Sequence, residues 1–116
     1  MTTLLVLYRA PEGGADALAT FESRYRDEHM PLVAQTPGLR ATRAWRVTEA
    51  LAGERRTMSV VAALDFDDRA AMDEALRSEP MRAASRVLRE IAPGLATLLV
   101  LEDASDLAAA SASVDT

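Results

Sequence analysis

The sequence has no cysteine and no lysine, and its one histidine is His29. Without cysteine there is no disulfide, thiolate metal site, iron–sulfur cluster or cysteine nucleophile. Without lysine there is no Schiff base, no lysine-linked cofactor and no Walker-type phosphate loop. One imidazole cannot build a site that needs two or three within a chain. All thirteen basic residues are arginine, which together with abundant alanine fits a GC-rich genome. Aromatic residues make up only 4% of the chain: Tyr8, Phe21, Tyr25, Trp45 and Phe66. An apolar pocket here must be lined mostly by Leu, Val, Ala and Met. A basic excess is missing too: the formal net charge of −5 argues against general nucleic-acid binding, which needs a cationic face to displace counterions. No segment approaches the roughly 20 apolar residues of a membrane span. Met1-Thr2-Thr3-Leu4 carries no basic region of a secretory signal, so the expected compartment is the cytoplasm.

What is present is a chain of 116 residues with 49% hydrophobic content, enough for one core and too little for two. Thr3 to Tyr8 reads as a first strand, stopped by the turn signal Arg9-Ala10-Pro11-Glu12-Gly13-Gly14. From Asp16 to Glu28 the residues Leu18, Phe21 and Tyr25 recur at helical spacing, with His29 and Leu32 continuing the stripe. Glu22, Arg24, Arg26 and Asp27 fall on the other side, and Pro31 ends or kinks the helix. After the turn Thr36-Pro37-Gly38, Leu39 to Val47 reads as a second strand near an edge, with Arg43 breaking its alternation. Thr48 to Arg56 is a hairpin loop and Met58 to Phe66 a third strand. Asp67 or Asp68 caps a helix carrying Met72, Ala75 and Leu76. Ser78 caps another, carrying Met81, Ala84, Val87, Leu88 and Ile91 until Pro93-Gly94 stops it. Leu95 to Glu102 is a fourth strand. The domain therefore spans 1–103, and 104–116 is a flexible Ala/Ser/Asp tail.

The order β-α-β-β-α-β predicts an α+β, ferredoxin-like domain with a four-stranded antiparallel sheet. Right-handed crossovers put both helical layers on one face. Strands 1 and 4 nevertheless contain the continuous run LLVL, a pattern of strands covered on both sides. The uncovered face needs a partner, and a second copy of the chain is the simplest. The expectation is a homodimer through the sheet face.

His29 is the first candidate for chemistry. It lies on the core-facing stripe just before a proline, where helix and sheet diverge. It reads either as a general acid or base or as a buried ring satisfying loose carbonyls at the helix end. Tyr25 and Tyr8 could orient a ligand oxygen, or simply pack. Arg43 and Arg9 could bind a carboxylate or enolate, or pair with surface acids. Trp45 reads as an interface anchor or a substrate stack. The cluster Asp65, Asp67 and Asp68 is explained by capping better than by a metal, and no metal site is expected. There is no G-x-S-x-G and no glycine-rich phosphate loop.

The stretch Phe21-Glu22-Ser23-Arg24-Tyr25-Arg26-Asp27-Glu28-His29-Met30-Pro31-Leu32, followed by Pro37-Gly38-Leu39-Arg40, resembles the EthD family. That family is named for a protein of ethyl tert-butyl ether degradation. Its pattern there is a Phe, a Tyr-Trp pair, His-x-Pro-Leu and Pro-Gly-Leu. Leu4 to Arg9, Ser78-Glu79-Pro80-Met81 and Ala92 to Val100 fit as well, so the resemblance covers about residues 3 to 103. Arg24-Tyr25 stands where Tyr-Trp is usual, and Asp65-Phe66 where Trp-Phe is common, so ligand identity does not transfer. The resemblance implies a dimeric α/β barrel, two four-stranded sheets meeting face to face. It also implies a cofactor-independent enzyme acting by proton transfer (isomerisation, dehydration or cyclisation) on an apolar, oxygenated, aromatic or polyketide-like molecule. His29, which matches the family histidine, Tyr25 and Arg43 would be catalytic. Tyr8, Arg9, Phe21, Trp45 and Phe66 would bind substrate. The other reading is a non-catalytic small-molecule-binding or accessory protein of an oxidative pathway. Haem held by His29 is a third.

Overall fold

The computed structural model describes residues 1–53 and 58–108. Four strands, β1 (Thr2–Arg9), β2 (Leu39–Arg46), β3 (Met58–Phe66) and β4 (Ala96–Glu102), form one antiparallel sheet in the order β2-β3-β1-β4. The helical segments are α1 (Gly14–Arg24), α2 (Met30–Val33), α3 (Arg69–Leu76) and α4 (Glu79–Ile91). The predicted α+β, ferredoxin-like sheet is what forms. The hairpin loop read over Thr48 to Arg56 and the tail read over 104–116 lie partly outside the described residues. Within the tail, Ser105–Ala108 makes one 3-10 turn. Among the described residues no helix is long and apolar enough to cross a membrane.

Two ends are set by local chemistry. Gly13, at φ 112°, turns the chain into α1 through a conformation side chains disfavour. A Cβ there would also stand 2.9 Å from that of Ala17. Asp68 accepts from the Ala71 N–H at 2.8 Å and Ser78 from the Met81 N–H at 3.4 Å, capping α3 and α4.

The helix begun by α1 does not stop at the proline. Residues Tyr25–His29 form a π-helical turn, in which the Met30 N–H reaches back five residues to the Tyr25 carbonyl. The chain then resumes as α2 with Pro31 in its first turn. A proline inside a helix leaves the carbonyl four residues back without a donor and crowds it. The wider turn absorbs that mismatch.

Burial in β1 alternates strictly. Leu4, Val6 and Tyr8 are buried under the helices, whereas Leu5 and Leu7 face the other side. The core cluster joins those three to Phe21, Tyr25, Val33, Val60, Leu64, Phe66, Met72 and Ala84, among others. In β2 the pairing register slips between Leu39 and Ala41. One extra residue there inverts the facing of the rest of the strand. Leu39, opposite Phe66, packs on the core, whereas Ala41, Arg43 and Trp45, opposite Asp65, Ala63 and Val61, point to the uncovered face. Arg43 is therefore in phase with its neighbours, and the single alternation read through Leu39 to Val47 is really two phases joined by a bulge.

The edge strand β4 is exposed on both faces. Leu98 and Val100, opposite Val6 and Leu4, lie on the helical side, yet they are 54% and 41% exposed. Leu99 and Leu101 lie on the uncovered side, 41% exposed each.

Candidate functional site

Three aromatic rings and the imidazole pack as one chain beneath α1. Tyr8 from β1 meets Phe21 at 5.5 Å and Tyr25 at 5.2 Å between centroids, and Tyr25 stacks on His29 at 4.9 Å. The offset and edge-on arrangement is the one ring quadrupoles favour. The Tyr8 hydroxyl donates to that of Tyr25 across 3.4 Å, both groups being buried. Burial holds both phenols protonated, their pKa values pushed up from the ordinary tyrosine range.

His29 is buried, and its Nδ1 lies 2.9 Å from the Ala84 carbonyl of α4. A carbonyl only accepts, so Nδ1 carries the proton and Nε2 keeps its lone pair. Removal from water pulls the imidazole pKa below its usual value, against the weaker opposing pull of that carbonyl, so the ring is neutral at pH 7. Among the described residues Nε2 has no hydrogen-bond partner, and it is not among the buried atoms cut off from solvent.

Beside this chain opens a cleft of about 240 Å³, between the π turn and the edge of the sheet. Tyr25, Glu22 and Arg26 form its helical wall, and Ala44, Trp45, Arg46 and Val60 the sheet side. The Arg46 Nε donates to Glu22 Oε1 at 2.9 Å, joining β2 to α1 across the cleft. Arg26 is paired with Asp27 at 2.9 Å. A second depression, about 380 Å³, lies on the far flank of α1 against the end of α4, where Arg24 bridges Glu28 and Glu90 at 2.7 Å each.

Of the residues singled out from sequence, Tyr8, Phe21, Tyr25 and His29 come together. Phe66 is buried in the core at the far end of β3. Arg9 closes the end of β1 by donating to the Gly94 carbonyl. Trp45 lines the cleft with Tyr25, whereas Arg43 does not: its guanidinium lies 5.4 Å above the indole and 3.4 Å from Asp65, which also accepts from Thr3 at 2.6 Å. Sequence reasoning assigned Glu22 and Arg26 to the solvated side of the helix and gave no role to Arg46. The available signal was their position one residue after Phe21 and Tyr25, at the margin of the apolar stripe, where a helix wall borders the sheet edge.

The fold and the aromatic–histidine chain beside an edge cleft define a ferredoxin-like α+β protein with a narrow cleft at the edge of its sheet. The resemblance to the EthD family holds in three dimensions: the structure superposes on an EthD family protein from Bacillus halodurans with TM-score 0.78 and 27% identity, over 90% of this chain and 99% of that one. A dimeric protein of unknown function and ferredoxin-like fold from Bacteroides fragilis matches with TM-score 0.67 and 13% identity, over 88% of this chain and 95% of that one. SnoaB, a cofactor-independent oxygenase from Streptomyces nogalater, matches with TM-score 0.62 and 18% identity, over 88% and 91%. No family profile and no curated sequence matches the chain.

Proposed function

We propose that the protein is a small cofactor-independent enzyme, working as a homodimer, that catalyses proton transfer on an apolar, oxygenated small molecule of aromatic or polyketide type. The observation that carries this is the Tyr8–Tyr25–His29 chain, in which one wall residue of the cleft, Tyr25, is continuous with a neutral imidazole of fixed tautomer. The similarity in fold to a cofactor-independent oxygenase supports it. Tyr8 donates to Tyr25, which leaves the Tyr25 proton free for a ligand carbonyl in the cleft. His29 Nε2 is the base. Standing one ring behind the cleft wall, it takes the proton of the carbon beside that carbonyl through one bridging water, the C–H pair becomes the enolate double bond, and Tyr25 stabilises the charge on oxygen. Return of the proton at another position completes an isomerisation, and loss of a neighbouring hydroxide with that proton completes a dehydration. Arg46 and Arg26 at the cleft are each held by a carboxylate, Glu22 and Asp27, which suits a neutral carbonyl ligand better than an acidic one.

The test is a screen of aromatic and polyketide-like carbonyl compounds against the purified protein, followed by His29→Ala and Tyr25→Phe on any compound turned over. His29→Ala is expected to lower kcat by roughly 10²–10⁴. An unchanged rate removes His29 from the mechanism. A second reading, a non-catalytic binding protein, is favoured by one observation. His29 does not itself line the cleft, and its Nδ1 serves the Ala84 carbonyl, as a structural histidine would. Saturable binding without turnover across the same compounds would establish that reading.

A further inference from the structure

The charges that line the cleft are closed on one another. Glu22 and Arg26 stand on the helical wall one turn apart, the spacing at which a glutamate and a later arginine ordinarily pair. They do not pair. Arg26 is gripped twice by its neighbour Asp27, at 2.9 Å and 3.2 Å. Glu22 reaches the other way, over the cleft, and accepts from Arg46 Nε of β2 at 2.9 Å. The two carboxylates differ in cover. The Asp27 side chain is 58% exposed and that of Glu22 only 24%, so water and salt screen the first charge far more than the second. The Glu22 charge is also felt by Arg26: Asp27 first, and Glu22 behind it, raise that guanidinium's pKa above its ordinary value. We propose that Glu22 is the specificity-determining residue of the cleft: by holding Arg46 it shuts out carboxylate ligands and reserves the site for neutral carbonyl compounds. This rests on the ligand site of the proposed function and names what that site rejects.

An acid entering the cleft has two courses. It can take Arg46, which leaves Glu22 shielded and without its partner, a costly state for a carboxylate. Or it can leave the pair intact. Its own charge then lies beside that of Glu22, and among the described residues lining the cleft no cation is free, because Asp27 holds Arg26. A ketone meets neither cost. It needs one donor, and the Tyr25 hydroxyl, on the same helical wall one turn past Glu22, is that donor. Selection of this kind comes from a built-in repulsion and needs no added contact. The switch therefore lies in the charge at Glu22. With that charge removed, Arg46 is a cation on the sheet side of the cleft with no counter-charge among the described residues, and the preference turns toward acids.

Two probes of nearly one shape separate charge from size: acetophenone, a neutral aryl ketone, and benzoate, its carboxylate counterpart. Each is titrated into isotope-labelled protein, and binding is read by NMR from the amides of Ala44 and Tyr25 and from the indole N–H of Trp45, the sole tryptophan. The same spectra report that each variant keeps its fold. The unaltered protein should bind acetophenone more tightly than benzoate. Glu22→Gln keeps the shape of the side chain and removes its charge. Benzoate affinity should then rise roughly tenfold, the low end for a hydrogen bond to a charged group because Arg46 is largely solvated, while acetophenone affinity stays where it was. Adding Arg46→Gln to Glu22→Gln should abolish the gain, and Asp27→Asn, at the screened pair, should not reproduce it. Acetophenone binding with no benzoate gain in Glu22→Gln overturns this proposal and leaves the cleft standing as a carbonyl site. An equal gain for both probes means that the ion pair excludes by size, and an equal benzoate gain in Asp27→Asn means that Glu22 is not the determinant; either overturns it. If neither probe moves the cleft signals in any of these proteins, the cleft is not a ligand site and the proposal falls with it.

Discussion

At the residue scale, His29 links stability to pH. Its pKa in the folded protein lies below the ordinary 6.5, so between those two values the unfolded chain binds a proton that the folded chain refuses. Stability from this group is fully present above pH 6.5 and is lost as pH falls through that window. Urea midpoints of the unaltered protein and of His29→Gln, measured at pH 7.5 and 5.5, should show a smaller acid loss in the variant, and an identical loss would mean the ring is solvated. Phe21, 2% exposed and touching both tyrosines, is the other telling position. Phe21→Ala should cost about 3–5 kcal/mol in denaturant unfolding; a cost below about 1 kcal/mol would contradict the packing described. The stripe Phe21, Tyr25, His29 was legible because a helical period survives the π turn closely enough to keep these residues on one side. The cleft residues Glu22, Arg26 and Arg46 were not legible. Their role depends on where the edge of the sheet passes the helix, which is a tertiary distance.

At the element scale, turn and cap chemistry carried most of the boundaries. Pro-Gly pairs, Asp68 and Ser78 sit where the chain changes state, and β3 spans Met58–Phe66 as read. Asp68→Ala should therefore lower stability by about 1 kcal/mol, by loss of the acceptor for Ala71 N–H. The midpoint of thermal or urea unfolding measures it, and Asp68→Asn should recover most of the loss. Two features escaped. The bulge after Leu39 inserts Arg40, a residue with no special backbone preference, just past the Pro37-Gly38 turn, so alternation counted from Leu39 assigned Trp45 the wrong companion. The π turn resembles an ordinary helix in sequence, because it differs by one residue in the backbone bonding and leaves the side-chain period almost intact.

At the scale of the whole molecule, the unexplained apolar surface is the strongest constraint. The uncovered face presents Leu5, Leu7, Val61, Leu99 and Leu101, with Trp45 47% exposed at one margin. A contiguous apolar area of this kind on a small domain calls for a partner, and the runs of LLVL in β1 and β4 are its mark in the sequence. Residues on the face have different tolerances. Leu5 is central and already half covered, so a charge there threatens the fold itself. Leu99 is 41% exposed in the isolated chain and can carry a carboxylate without strain. Buried between two sheets, the same carboxylate would be unpaired in a medium that penalises it by several kcal/mol. Leu99→Glu should therefore keep the circular dichroism of the folded domain and lose the dimer. Sedimentation should report twice 12.5 kDa for the unaltered protein and 12.5 kDa for the variant. Because association binds only the folded state, the unaltered protein should unfold at a temperature that rises with its concentration, and Leu99→Glu should not. Trp45, the sole tryptophan, gives an independent reading, since its emission should shift to the red in the variant as the indole loses its cover. A folded Leu99→Glu protein that still sediments at dimeric mass would place the interface elsewhere than on this face.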